Sequence, residues 1–85
     1  MKLEVRYERS FLLDLKRLNP ADYEKVSQFI FEDFLHLGQL YEIPGLRQIG
    51  GSAIYYRFSL GKYLVAMEVT GEIVKFIRIL PKPEI

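Results

Sequence analysis

The sequence predicts an α+β fold: an N-terminal strand, then a two-helix hairpin packed on one face of a small antiparallel-rich sheet that ends in a three-stranded meander. Three observations carry this. The chain opens on a short alternating segment, passes through two stretches of helical periodicity, and closes with three alternating segments punctuated by glycine turns. No repeat or linker interrupts the order β-α-α-β-β-β, and 85 residues suit a single domain over 1–85.

In MKLEVRY, Leu3, Val5 and Tyr7 alternate with Lys2, Glu4 and Arg6, the pattern of a strand with one wet face. Ser10 is a candidate cap for a short helix, FLLDLKRL, whose Phe11, Leu12, Leu15 and Leu18 form an apolar stripe. Asn19-Pro20-Ala21-Asp22 is a second helix start. Asn caps, Pro fits the first helical position without losing a bond, and Asp22 complements the helix dipole. Val26, Ile30, Phe34 and Leu37 then mark a buried face to about Leu37, with Gly38 as the expected C-terminal cap. The segment GQLYEIPGLRQIGGSA is a Gly-rich connection with a short strand over 46–49. The meander follows at about 53–60, 63–69 and 72–80, its first turn at Gly61-Lys62 with glycine leading, a type II′ signature.

If Gly61-Lys62 is a two-residue turn, Ile54, Tyr56, Phe58, Leu60, Tyr63, Val65, Met67 and Val69 share the face that covers the helices. Tyr55, Arg57, Ser59, Leu64, Ala66 and Glu68 share the other. Arg57 therefore points away from the core, either as a solvated cation or as a guanidinium aimed at phosphate. The third strand has two registers. A Thr70-Gly71 turn puts Arg78 on the core face; a three-residue loop that includes Glu72 sets it beside Leu64 and Arg57. The second is preferred, because it buries Ile73, Ile77 and Ile79, although it also points Lys75 inward.

Composition sets the limits of function. A 49% hydrophobic chain with six Phe and six Tyr can build a real core. Without cysteine it has neither disulfides nor thiolate chemistry, and a reducing cytoplasm is the expected compartment. The charged start MKLEVRYERS does not read as a signal peptide, and no apolar run approaches the ~20 residues that span a bilayer. Residues 1–42 hold six Lys/Arg against eight Asp/Glu, and residues 43–85 hold six against three. The second half is thus the candidate polyanion-facing half, although a pI near 8.0 is modest for a nucleic-acid binder. His36 is the sole histidine, so neither a metal site nor any other cofactor is expected. Gly50-Gly51 lacks the context of a phosphate loop.

The order of elements, together with GLRQI, YYRFSLGKYLVAMEV and the ending EIVKFIRILPKPEI, resembles the RelE/ParE superfamily of toxins from toxin–antitoxin pairs over essentially the whole chain. The resemblance to RelE implies ribosome-dependent mRNA cleavage, in which the 2′-hydroxyl attacks its own phosphodiester while basic residues of the sheet stabilise the phosphorane. It places Arg57 and Lys82 as catalytic residues. Arg47, Tyr55, Lys62 and Arg78 are placed as substrate-binding residues, with Tyr55 as a stacking ring. The pattern departs from the family at Ser59 and Leu64, where basic residues are usual, and in the ending Pro-Glu-Ile, which carries no tyrosine. Those departures suit the alternatives: a ParE-like inhibitor of DNA gyrase, or a toxin fold that only binds its antitoxin. The implied partners are a cognate antitoxin and either the ribosome with mRNA or gyrase. No membrane partner is expected.

Overall fold

Five strands form one sheet in the order β1-β5-β4-β3-β2 in the computed structural model, which describes residues 3–37 and 42–83. The strands are β1 (Glu4–Tyr7), β2 (Arg47–Gln48), β3 (Tyr55–Leu60), β4 (Tyr63–Thr70) and β5 (Ile73–Pro81). β1 runs parallel to β5, while every other pairing is antiparallel. Helices α1 (Arg9–Lys16) and α2 (Pro20–Gln28) lie between β1 and β2 in sequence. α2 continues through a π-helical turn at Phe29–Asp33 and a 3-10 turn at Phe34–His36.

The helices cover one sheet face. Phe11, Leu15, Val26, Ile30 and Phe34 from the helical layer meet Phe58, Val65, Met67, Val74, Phe76 and Ile79 from the strands, and Ile43 belongs to the same buried cluster. Phe76 is the centre: its ring lies 5.4 Å from that of Phe11, 5.1 Å from Phe34 and 5.8 Å from Tyr7. Among the described residues no helix packs on the opposite face, and we call it the open face.

The start of α2 is as expected. Asn19 Oδ1 accepts from the Asp22 N–H at 2.9 Å, with Pro20 in the first turn. The start of α1 is not. Glu8 is its N-cap residue, with no side-chain cap, and the Ser10 hydroxyl instead donates to the Ile77 carbonyl at 2.7 Å. The apolar stripe of α1 is also narrower, because Leu12 is 42% exposed while Asp14 turns inward. The expected cap Gly38 lies outside the described residues.

The β3–β4 hairpin has the expected register, with Leu60 opposite Tyr63 and Ser59 opposite Leu64. Gly61 has φ +61°, and no non-glycine described residue has positive φ, which fits a turn with glycine first. The next turn differs from both expected registers. Thr70 pairs with Ile73, so the two-residue loop is Gly71-Glu72, and a register shift past Met67–Phe76 leaves Ile77 unpaired as a bulge. That extra residue restores the face chosen for Arg78, now directly opposite Ala66. Val74, Phe76 and Ile79 are buried, whereas Ile73 and Ile77 are half-buried. Lys75 is not turned inward; it pairs with Glu8 at 3.2 Å and Glu68 at 3.7 Å.

Candidate functional site

Alternation along four antiparallel strands brings Arg47, Arg57, Ala66 and Arg78 into one row across the open face. Arg47 stands directly opposite Arg57, which places their Cβ atoms about 5 Å apart. Like charges facing each other across a sheet destabilise it. Neither guanidinium has a carboxylate within ion-pairing distance among the described residues. Arg47, Arg57, Ser59, Leu64, Gly45 and Phe58 line a cavity of about 290 Å³. Tyr55, two residues from Arg57 on the same face and 41% exposed, presents its ring beside this pair.

Elsewhere on the open face charge is compensated. Glu4 holds Arg6, and Glu8 and Glu68 hold Lys75. Arg78 is held by Asp14 of α1, Nε donating to Oδ2 at 2.7 Å and Nη2 to Oδ1 at 3.2 Å. Among the described residues Arg47 and Arg57 take part in none of these ion pairs, and neither does Lys82 beyond β5. Burial opposes ionisation of Asp14, but the hydrogen bonds from Arg78 and the Ile79 N–H, with the charges of Arg78 and Arg17, outweigh it. Its carboxyl is held below the usual carboxylate range.

Not every sequence-predicted residue joins this cluster. Lys82 is exposed just beyond β5, and its N–H bonds the Lys62 carbonyl at 3.0 Å. It is two strands over from Arg57 and four residues along from Arg78, ~10 Å across the sheet and ~13 Å along it. Lys62 faces α2 instead, its Nζ 3.2 Å from Asp22 Oδ2. Asp22 also accepts from the Tyr63 hydroxyl at 2.7 Å and from Asn19 Nδ2 at 2.9 Å. The Tyr63 bond, more than the Lys62 charge, lowers the Asp22 carboxyl, and the same bond raises the Tyr63 phenol. This network ties the hairpin tip to α2.

Two features escaped the sequence reading: the direct opposition of Arg47 and Arg57, and the part played by Asp14. The second left a trace. Asp14 follows Phe11 by three residues and precedes Leu15 by one, a carboxylate within the buried stripe of a short helix.

Two helices on one face of a mixed five-stranded sheet is also the fold of RelE toxins, which this chain resembles along nearly its whole length. No family model matches the chain. It is 29% identical over 84 residues to the toxin RelE3 of Methanocaldococcus jannaschii, an alignment covering 98% of this chain and 94% of that one. The toxin–antitoxin complex RelB–RelE from Methanococcus jannaschii superposes with a TM-score of 0.74 at 26% identity, over 89% of this chain and 88% of the matched one. RelBE2 of Mycobacterium tuberculosis shares the fold, with a TM-score of 0.75 at 18% identity over 96% of this chain and 100% of the matched one. In sequence and in fold the chain is thus similar to RelE toxins.

Proposed function

We propose that this protein arrests translation by cutting mRNA in the ribosome, with Arg57 and Arg47 as the groups that bear on the scissile phosphate. One observation carries the reading: two opposed, uncompensated guanidiniums in a cavity on the open face, a repulsive arrangement that a bound phosphodiester relieves. Attack by a 2′-hydroxyl on the adjacent phosphorus builds negative charge on the phosphorane oxygens. A fixed pair of five-donor forks is suited to that charge. A base splayed from the strand can stack on Tyr55, worth ~1–3 kcal/mol. Arg78 and Lys82 border the track along which RNA leaves the cavity, whereas Lys62 is turned to Asp22.

Among the described residues that line the cavity, none carries a carboxylate or imidazole. Arginine stays protonated and cannot take the 2′ proton, so this chain's contribution is charge stabilisation and alignment rather than proton transfer. The natural partner is a small antitoxin protein, as in the RelB–RelE and RelBE2 complexes that share this fold. Ala66 within the arginine row and Leu64 beside it give such a partner apolar contact. The setting is the cytoplasm, where mRNA and ribosomes are.

A second reading rests on the same cavity. Ser59 and Leu64 line it where further cations would strengthen catalysis, which favours a binding role, either inhibition of gyrase or capture of the antitoxin alone. Controlled expression separates the two. Growth arrest with a rapid fall in protein synthesis, abolished by Arg57→Ala, supports cleavage. DNA damage with intact mRNA supports gyrase inhibition, and harmless expression supports antitoxin capture only.

A further inference from the structure

The second half of β5 is an edge that β1 does not cover, because the parallel pairing stops at Tyr7–Phe76 and Ile77 bulges out of register. α1 takes over where β1 ends. Its Ser10 hydroxyl donates to the Ile77 carbonyl at 2.7 Å, and its Asp14 Oδ2 accepts from the Ile79 N–H at 2.9 Å. Asp14 is only 9% exposed, so its carboxylate is fixed by the sheet edge as well as by its own helix. From that anchored position it grips Arg78 at two points, along the Nε–Nη2 side of the fork. The Nη1 side is left without a partner among the described residues, in the row that holds Arg57 and Arg47.

We propose that Asp14 is a positioning residue: by clamping one side of Arg78 it fixes the guanidinium plane at the bulge and presents the other side to RNA leaving the arginine cavity. This inference rests on the mRNA-cleavage reading above. A guanidinium on a free, half-exposed stem loses side-chain freedom on binding, whereas a clamped one has already lost it. Asp14 also offsets the Arg78 charge, so Arg78 acts as an aligned donor while the net cationic pull stays at Arg47 and Arg57.

The test is a double-mutant cycle on cleavage of a reporter mRNA in a translating extract, with thermal melts in parallel. Asp14→Asn keeps an oxygen for the Ile79 N–H but puts amide hydrogens toward Arg78. Arg78→Lys keeps the charge and the native Asp14 but cannot make the two-point contact, and it serves should the first variant fold poorly. Asp14→Asn and Arg78→Lys are each expected to lower the maximal cleavage rate roughly ten- to a hundredfold, as misalignment does, with a smaller change in half-saturation. In an Arg78→Ala background, Asp14→Asn is expected to add nothing. Equal losses from Asp14→Asn with and without Arg78, or full activity in Arg78→Lys, overturn this inference alone. A wild-type protein that leaves the mRNA intact overturns the cleavage reading and this one with it.

Discussion

Replacing Arg57 by glutamine should make the fold more stable and the toxin nearly inert. Arg57 and Arg47 are directly opposed, with no carboxylate near either among the described residues. If the guanidiniums splay to ~8 Å in water, their repulsion is ~0.5 kcal/mol, and at 0.1 M salt the ~10 Å Debye length removes about half of it. For a domain of this size that corresponds to a midpoint rise of ~2–4 °C at low salt. Removing one donor aimed at a developing anion typically costs ~10²–10³ in rate, so cleavage should fall by that factor. The assays are thermal melts of both proteins at low salt and at 1 M salt, alongside reporter cleavage in a translating extract. A midpoint that falls, a gain that persists at 1 M salt, or cleavage that survives would refute the reasoning, because the two arginines would then be neither strained against each other nor turned to phosphate.

Phe76→Ala removes the fully buried ring that Phe11, Phe34 and Tyr7 surround. It should cost ~3–5 kcal/mol, a large part of the ~4–13 kcal/mol available to a chain of this length, measured by urea unfolding. Asp14→Asn should destabilise at neutral pH. Because the folded Asp14 carboxyl is held low, its contribution is present above the unfolded value of ~3.9 and is lost as pH falls through the folded value. The stability gap between the two proteins should therefore close in melts below about pH 4. Lys62→Ala should change cleavage far less than Arg57→Gln, since Lys62 is turned to Asp22; an equal loss would place RNA at the hairpin tip. Gly61→Ala, at φ +61°, should lower stability by ~1 kcal/mol in the same unfolding assay.

Residues 55–69 were legible because strict alternation and a leading glycine leave one register for the hairpin, and Tyr55, Arg57 and Ser59 fall on the open face as read. The helical layer was legible through Val26, Ile30 and Phe34, which are all buried. β5 was harder. Its apolar residues fill both parities, so periodicity could not locate the bulge at Ile77, and Arg78 reached the expected face by a different route: a shorter loop plus one unpaired residue. Ser10 illustrates a further limit. Its hydroxyl satisfies a carbonyl 67 residues away, a demand created by the end of β1 pairing and invisible to local capping rules. The opposition of Arg47 and Arg57 depends on a two-residue strand, too short for alternation to set its register.

The most direct test of the central claim is 5′-end mapping of a reporter mRNA in a translating extract, comparing wild type with Arg57→Gln. The account predicts new ends at fixed positions within codons, present only with ribosomes and the wild-type protein, and depleted by about two orders of magnitude or more in the variant. An intact transcript, or the same ends at the same strength from Arg57→Gln, would contradict it.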